Sequence, residues 1–293
     1  MSRNRRNAEP IRIVGLSIID IAEEGKGVGK ADELVIFVDK AVPGDVVDIR
    51  VVKKKKNFAE AIIENLVTPS DLRQEPFCSH FGTCGGCKWQ HMDYAAQLRF
   101  KQKNVEAALQ RLAKIDTSSM EPILGSTENK YYRNKLEYTF SNKRWLNATD
   151  MQIEDDSREM NALGFHVPLR FDKILDIQHC YLQAEPSNNI RLSVREYALK
   201  NEISFYDLRN HEGALRNLII RTSSTGEVMV VVVFAYAEQE QIKGMMEHLK
   251  VSFPEITALL YIENQKKNDT IFDQDVITYA GRDHIFEQMP LEN

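Results

Sequence analysis

Three of the four cysteines in this chain lie within ten positions, at Cys78, Cys84 and Cys87, and the fourth, Cys180, follows 93 positions after them. Thiolates separated by two residues can bind one metal centre, and the two glycines before the third cysteine leave space for a backbone that wraps around it. Four thiolates suit a tetrahedral zinc ion or an iron-sulfur cluster. Structural zinc sites usually bring two closely spaced pairs, so the isolated fourth cysteine favours a [4Fe-4S] cluster over zinc.

Two simpler interpretations of this region stay open. The thiols could be three loop cysteines and one core cysteine, because unmodified cysteine is often buried. His80, His91 and His179 lie near the cysteines in the sequence and could bind a metal. Since four cysteines already complete a site, we expect these histidines to be surface groups or neighbours of the ligands.

Basic stretches beside aromatic residues are candidates for contact with a nucleic acid. The first stretch is Lys53, Lys54, Lys55 and Lys56, which is followed by Phe58. OB folds use such hairpins to hold a phosphate backbone and to stack a base. A solvated hairpin tip is the alternative interpretation.

Two more basic stretches follow the cysteines. Lys88 is next to Cys87, and Arg99 and Lys101 are expected on the polar face of the following helix, where they could bind phosphates. Trp89 could instead cover the metal centre and exclude water.

The stretch "YYRNK" adds Tyr132, Arg133 and Lys135, which combine an aromatic ring with two cations. They predict RNA contact or positioning of a target base. A purely structural role in a sheet is the competing interpretation.

Composition restricts the class of protein. The chain has 293 residues, 43% of them apolar, and a net charge of -5, which argues against a uniformly basic nucleic-acid binder. Residues 88–144 nevertheless carry 11 Lys and Arg against 6 Asp and Glu, whereas residues 145–293 carry 14 against 24. A polyanionic partner is therefore expected near the cysteines. The sequence has neither an apolar run long enough for a membrane helix nor a secretory signal, so we expect a cytoplasmic protein with reduced thiols and no membrane partner.

The elements that must position these residues begin with a small barrel. Residues 1–10 are predicted to be a disordered basic tail, and residues 11–70 to form an antiparallel barrel of OB type with a tight turn at Pro43-Gly44-Asp45. The stretch "GKGVGK", residues 25–30, precedes a strand, so it is interpreted as a barrel loop. Residues 71–92 are the cysteine loop.

Residues 93–293 are predicted to be an α+β domain of mixed sheet and helices. A helix is expected over 93–113 with Asp93 as its N-cap, because apolar residues recur there at helical spacing. A strand is expected at "KLEYTF", a hairpin around Ser224-Thr225-Gly226, a helix that ends at Pro254, and strands at "ITALLYIEN" and within 275–289.

Together the motifs resemble a known family. The quoted stretches are "VPGD", "FCSHFGTCGGCKWQHMDYAAQLRFKQKNV", "YYRNKLEYTF", "GFHVPLRFDKILDIQHCYL" and "HEGALRNLIIRT". They are similar to bacterial RNA uracil-5-methyltransferases of the RumA/RlmD type, along the chain from about residue 11. The resemblance implies a TRAM domain in the barrel and a [4Fe-4S] cluster held by Cys78, Cys84, Cys87 and Cys180. It also implies RNA as partner, large-subunit ribosomal RNA in particular.

In that family a cysteine thiolate adds to C6 of a flipped uracil, C5 takes a methyl group from S-adenosylmethionine, and a carboxylate removes the C5 proton. This sequence has no fifth cysteine and no glycine-rich turn that opens a helix, so we predict no catalytic and no adenosylmethionine-binding residue in it. We therefore expect an inactive N-terminal fragment whose methyltransferase domain follows in cis, with the methyl donor bound only by the full-length enzyme. The alternatives are a zinc- or iron-sulfur-containing RNA-binding module without methyltransferase activity and a small electron-transfer protein.

Overall fold

The computed structural model describes residues 10–22, 24–147, 149–154 and 157–289, so nearly all of the predicted tail lies outside it. The chain divides into two compact units. The first contains the described residues up to Gly82 together with 87–127, and the second contains 83–86 with the described residues from Glu128 onward. The structure thus groups residues 93–127 with the barrel, whereas the sequence assigned them to the C-terminal domain.

A closed five-stranded barrel forms most of the first unit. Its strands are β1 (Arg12–Ile21), β2 (Gly27–Ala31), β3 (Leu34–Asp39), β4 (Val46–Lys54) and β5 (Phe58–Thr68). They close in the order β1-β2-β3-β5-β4, with β3 and β5 parallel and the other neighbours antiparallel. Alternate apolar side chains point inward, and Ile36, Val38, Val47 and Ile49 are fully buried. The predicted N-terminal barrel is confirmed.

Strand β2 corrects the interpretation of "GKGVGK" as a loop, because Gly27 lies in this strand and pairs with both neighbouring strands. Glycine disfavours strands, but here the neighbours approach too closely for a larger residue. A Cβ atom on Gly27 would lie 2.7 Å from the Cβ of Ala41, and one on Gly29 would lie 2.9 Å from the side chain of Leu16.

Helix α1 (Tyr94–Ala108) follows the cysteine loop, and a π-helical turn, Leu109–Ala113, extends it. The predicted N-cap is confirmed, since the carboxylate of Asp93 accepts a hydrogen bond of 2.8 Å from the backbone N–H of Ala96. Ala96 packs against Ile21 and Val42 of the barrel.

The second unit is a seven-stranded mixed sheet with two helices. Its elements are β6 (Lys135–Ser141), β7 (Ala162–Val167), β8 (Arg170–Asp176), α2 (Ser187–Lys200), β9 (Leu215–Thr222), β10 (Val228–Phe234), α3 (Gln239–Ser252), β11 (Ile256–Glu263) and β12 (Val276–Gly281). The strand order is β12-β11-β10-β9-β6-β7-β8, with β10 and β11 parallel and the other neighbours antiparallel. The predicted mixed α+β body is confirmed.

Some elements of this unit differ from the prediction. The sequence did not indicate β7, β8 or α2, and the strand expected within 275–289 extends only over β12. Helix α2 was not predicted because its buried face includes the polar residues Ser187, Asn188 and Arg191, which obscure the apolar periodicity. No helix in the described part of the chain is long and apolar enough to cross a membrane.

Candidate functional site

Within the second unit, Cys84 lies in a tight loop that is fixed against strand β7. The backbone N–H of Gly85 donates a hydrogen bond of 3.2 Å to the carbonyl of His166, and a Cβ atom on Gly85 would lie 2.7 Å from that oxygen. The N–H of Gly86 donates to the Cys84 sulfur at 3.3 Å. Amide donation to sulfur is a feature of metal-bound thiolates, so the CGGC loop fits the donor chemistry of a metal centre.

Cys180 lies after strand β8 and is 7% exposed. Its backbone is held by Asn188 of helix α2: the Cys180 N–H donates to the Asn188 amide oxygen at 2.7 Å, and the Asn188 amide donates to the Cys180 carbonyl at 3.2 Å. Arg191, one turn further along α2, donates to the carbonyls of Ile177 and Gln178. Two polar side chains of one helix therefore fix the backbone that carries this cysteine.

The other two predicted ligands, Cys78 and Cys87, lie in the first unit and are half-buried. None of the four cysteines forms a disulfide. The described residues include no group of three or more His, Cys, Asp or Glu side chains arranged to hold a metal ion. The four-cysteine cluster therefore stays a prediction, although the local chemistry of Cys84 and Cys180 is compatible with it.

The basic hairpin between β4 and β5 lies on the barrel of the first unit. Lys53 forms an ion pair of 3.0 Å with Glu60, and the Lys55 ammonium lies 5.2 Å from the centre of the Phe58 ring. Lys54 and Lys56 are exposed, and neither has a side-chain partner among the described residues. Phe58 is half-buried. The hairpin thus presents two free cations and one partly accessible ring.

The basic stretch after Cys87 is also exposed at Lys88, Arg99 and Lys101. Trp89 packs against barrel residues, and a Cβ atom on Gly25 would lie 2.0 Å from its indole nitrogen. The Lys101 ammonium lies 5.8 Å from the Trp89 ring. Packing on the barrel therefore accounts for the position of Trp89, and a covering role at a metal centre stays a prediction.

Tyr132 and Arg133 line a cavity of about 370 Å³ in the second unit. Both side chains are exposed, and the Arg133 guanidinium has no partner among the described residues. Lys135 lies outside this cavity, on β6, where it forms an ion pair of 3.4 Å with Glu137. The remaining walls are formed by Tyr131, Asn134, Ala184, Glu185, Pro186, Thr222, Ser223, Ser224, Gly226, Glu227, Val228 and Glu287.

The cavity is connected to the segment that carries Cys180. The backbone N–H of Tyr131 donates to the carbonyl of Tyr181 at 2.7 Å, and that of Arg133 donates to the carbonyl of Leu182 at 2.8 Å. Sequence spacing could not reveal this pairing, because the two segments are about 50 positions apart. These hydrogen bonds connect the cavity wall at Tyr131 and Arg133 to the residues that follow Cys180.

His91 is a further polar residue whose position the sequence did not predict. It is 4% exposed, and neither ring nitrogen has a hydrogen-bond partner. Its ring lies 5.2 Å from that of Phe81. Burial, assisted by the positive charge of Arg73, lowers the pKa of His91 to about 4, so the imidazole is neutral at physiological pH.

Comparison with protein families identifies the barrel region: residues 8–63 match the model of the TRAM domain. Longer similarity extends to proteins named as uncharacterized RNA methyltransferases. One, from Bacteroides thetaiotaomicron, is 51% identical over 92% of this chain and 60% of its own length. Another, from Porphyromonas gingivalis, is 50% identical over 94% of this chain and 60% of its own length.

A solved structure of the tRNA (uracil-54, C5)-methyltransferase of Pyrococcus abyssi, in complex with S-adenosyl-L-homocysteine, has the same fold. The match has a TM-score of 0.63 and 23% identity, and it covers 93% of this chain and 57% of that one. The present chain spans 60% of the length of the two relatives above.

These matches correct one prediction. The sequence was interpreted as an inactive N-terminal fragment without a catalytic domain. That interpretation is not supported, because proteins named as RNA methyltransferases match 92 to 94% of the chain and a methyltransferase structure matches 93% of it.

Proposed function

We propose that this chain takes part in the methylation of RNA at C5 of uracil, with S-adenosylmethionine as the methyl donor, and that it binds the RNA. The observation that supports this most is the similarity, along almost the whole chain, to relatives named as RNA methyltransferases. The TRAM match on a closed barrel adds an RNA-binding module. Large-subunit ribosomal RNA is the proposed substrate, on the basis of the motif resemblance.

The RNA backbone would contact the barrel hairpin and the exposed cations after Cys87. Lys54 and Lys56 have no ion-pair partner in the described part of the chain, so phosphates can approach them without breaking a salt bridge. Tyr132 and Arg133 would meet a base or phosphate at the cavity in the second unit. Phe58, Lys53, Lys55, Lys88, Arg99, Lys101 and Lys135 complete the proposed RNA-contacting set.

Cys78, Cys84, Cys87 and Cys180 are proposed to hold a [4Fe-4S] cluster rather than to act as nucleophiles. Such a cluster would join the 78–87 loop to the segment at Cys180 and so restrain a long loop of the chain. The hydrogen bond from the Gly86 N–H to Cys84 and the hydrogen bonds of Asn188 to the Cys180 backbone support this assignment.

None of the described residues is assigned to the binding of S-adenosylmethionine. Helices α1, α2 and α3 follow Asp93, Pro186 and Glu238, and none of these helices is opened by a glycine-rich turn that could receive the cofactor. S-adenosylmethionine would supply the methyl group, while the residues named above bind and orient the RNA. No catalytic residue is assigned.

The RNA-binding part is tested by titrating the purified chain into a labelled fragment of large-subunit ribosomal RNA at several salt concentrations. We expect affinity to fall steeply with salt and to exceed the affinity for double-stranded DNA of the same length. Binding that is insensitive to salt, or equal for both nucleic acids, would contradict the proposal.

The methylation part is tested separately, with RNA whose uridines carry tritium at C5. Transfer of a methyl group to C5 displaces this tritium into solvent, so release that depends on S-adenosylmethionine supports the activity. If the chain binds the RNA but releases no tritium, the proposed methyl transfer is wrong. The alternative, an RNA-binding module without methyltransferase activity, is then favoured. Iron, sulfide and zinc content measured on anaerobically purified protein then distinguishes the cluster from a zinc site.

A further inference from the structure

Glu64 on strand β5 of the first unit is a carboxylate that two arginines share. Its two oxygens accept hydrogen bonds from the Nε atoms of Arg12, at 2.7 Å, and Arg50, at 2.8 Å. Arg12 and Arg50 are directly opposite each other on β1 and β4, so both side chains lie on one face of the barrel wall. Within the described chain, their other guanidinium N–H groups have no hydrogen-bond partner. The network keeps one uncompensated positive charge, and the carboxylate orients both guanidinium groups.

A second network of the same kind lies four positions earlier on β5. The Glu60 carboxylate accepts hydrogen bonds from the ammonium groups of Lys26, at 3.2 Å, and Lys53, at 3.0 Å. Ala59 and Ala61 are buried in the barrel core, so the alternation of the strand directs the Glu60 side chain outward. Two neighbouring networks on the outer face of the barrel therefore each have two cations for one carboxylate.

Two aromatic rings lie beside these networks. Phe37 of β3 is paired with Glu60 in the sheet, and its ring centroid lies 5.8 Å from that of Phe58, with the ring planes at 78°. Both rings are half-buried, whereas the adjacent Ile36 and Ala59 are fully buried in the core. The outer face thus presents a partly accessible aromatic pair next to a group of cations.

This combination fits a polyanion that carries flat rings. Asp48 on β4 offsets one of the surplus positive charges, but the exposed Lys54 and Lys56 at the end of the same strand add two. Phosphates can meet the unused guanidinium N–H groups, and an unpaired base can stack on a ring, whereas the bases of a duplex are already stacked inside it. Phe58 and Glu64 are six positions apart, roughly 20 Å along the strand, which is long enough for several nucleotides.

We propose that this outer face, formed by β3, β5 and β4 together with Arg12 of β1, binds an unpaired segment of RNA. Arg12 and Arg50 donate hydrogen bonds to its phosphates, Glu64 orients both arginines, and Phe37 stacks a base. The inference rests on the RNA binding of the proposed function. It adds three contact residues that the sequence motifs did not indicate, and it specifies single-stranded RNA as the ligand of the barrel.

The aromatic contact is tested with F37L, which removes the ring but keeps an apolar side chain, and with F37Y, which keeps the ring. The probe is a labelled, unstructured RNA of about 15 nucleotides, within the site size of an OB fold, either alone or annealed to its complement. We expect the wild type to prefer the single strand, F37L to bind it about tenfold more weakly, and F37Y to bind it like the wild type. F100L is the matched control, because Phe100 is a half-buried ring on α1 of the same unit, and its affinity should not change.

The arginines are tested with R12Q/R50Q, which removes two charges, and with R12K/R50K, which keeps them. For R12Q/R50Q we expect the slope of log affinity against log salt concentration to become shallower by about 1.4, the value for two phosphates of a single strand. R12K/R50K should keep the wild-type slope but bind more weakly, since lysine lacks the planar fork that binds a carboxylate and a phosphate through different N–H groups. R111Q/K114Q is the control, because it removes two exposed cations after α1, and its slope should stay close to the wild-type value.

The inference is overturned if F37L binds like the wild type, if F100L loses as much affinity as F37L, or if the duplex is bound as tightly as the single strand. It is also overturned if R12K/R50K has wild-type affinity, or if R111Q/K114Q changes the slope as much as R12Q/R50Q. Circular dichroism verifies that each variant is folded, and F37M replaces F37L if that variant is unfolded. A wild-type chain that binds neither form of RNA contradicts the proposed function itself, which is a different outcome.

Discussion

At the scale of single residues, one carboxylate stabilises the turn that connects β3 to β4. Asp45 is 1% exposed and accepts hydrogen bonds from the N–H groups of Val42, at 2.6 Å, and Ser70, at 2.9 Å. It also accepts two from Arg73, both at 2.7 Å. The turn therefore depends on a buried ion pair that is fully hydrogen-bonded, an arrangement that is costly to break from one side.

We predict that Asp45→Ala lowers the free energy of unfolding by about 3–5 kcal/mol, because it leaves the Arg73 charge and two backbone donors unpaired. Denaturant unfolding followed by circular dichroism measures the change. Asp39→Ala is the control, since Asp39 is exposed and has no side-chain hydrogen bond among the described residues. A loss below 1 kcal/mol, or an equal loss in both variants, would contradict this role of Asp45.

His91 gives a prediction for pH dependence. Its pKa is about 4 in the folded chain and about 6.5 in an unfolded one, so the unfolded state binds the proton first as pH falls. Above about pH 6.5 the imidazole is neutral in both the folded and the unfolded state. As the pH falls from 6.5 toward 4, the unfolded state binds the proton and the free energy of unfolding decreases. Between pH 7 and 4.5 this one group should remove about 2 kcal/mol.

We expect His91→Leu to reduce the loss of stability between pH 7 and pH 4.5 by about 2 kcal/mol, because leucine has no proton to bind. The measurement is denaturant unfolding of both proteins at the two pH values, in the presence of a chelator so that metal content is equal. His166→Leu is the control, because His166 is exposed and forms no ion pair with a carboxylate among the described residues. An unchanged pH dependence in His91→Leu would show that His91 does not titrate as its burial indicates.

At the scale of elements, the barrel hairpin makes the clearest prediction about RNA. Lys54 and Lys56 are exposed and unpaired within the described chain, whereas Lys53 is engaged by Glu60. The double variant K54E/K56E should bind RNA at least tenfold more weakly at low salt and show a shallower salt dependence, because two phosphate contacts are lost. K30E, a single reversal on β2 of the same barrel, is the control and should change affinity much less. If only net charge matters, K30E should lose about half as much binding free energy as the double variant, because it makes half the change in charge.

The same hairpin shows what could be predicted from the sequence. Strand β4 can be recognised from its own residues, because valine and isoleucine alternate with charged residues between a Pro-Gly turn and a lysine run. Strand β2 was missed because its glycines are selected by close contacts with Ala41 and Leu16, which belong to distant positions in the chain. A sequence pattern reveals a strand when the strand's own residues determine it. It does not reveal a strand whose residues are determined by contacts with distant parts of the chain.

The same distinction applies to the residues of the candidate site: some could be predicted from the sequence and others could not. The cysteine motifs predicted Cys84 and Cys180 as metal ligands, and the stretch "YYRNK" predicted Arg133 as an RNA contact. Asn188 and Arg191 were not predictable, since their importance comes from hydrogen bonds to a segment about ten positions away around a turn. Buried polar residues of this kind are visible only in three dimensions, because nothing in their own sequence distinguishes them from surface residues.

At the scale of the whole molecule, charge limits how RNA can bind. The net charge is -5, and residues 145–293 carry 24 acidic side chains against 14 basic ones. Binding must therefore rely on local basic surfaces, and the acidic surface should repel RNA that approaches elsewhere. If the chain binds RNA as proposed, this asymmetry would orient it on the RNA.

The proposed cluster makes a prediction about the whole chain, because a single centre would need all four cysteines at once. If one cluster is shared, each of Cys78→Ser, Cys84→Ser, Cys87→Ser and Cys180→Ser should reduce bound iron to a small fraction of the wild-type value. Each should also lower the melting temperature by a similar amount, since each removes the same restraint on the same long loop. Iron content after anaerobic purification and thermal unfolding provide the measurements.

The control is His179→Gln, next to Cys180, where the side chain contacts the Tyr131 hydroxyl at 3.3 Å. This variant should keep its iron, because the four thiolates already complete the site. Loss of iron in His179→Gln, with retention in one of the cysteine variants, would show that the ligand set is mixed. Unequal shifts in melting temperature among the four serine variants, with iron absent from all proteins, would instead assign the cysteines separate structural roles.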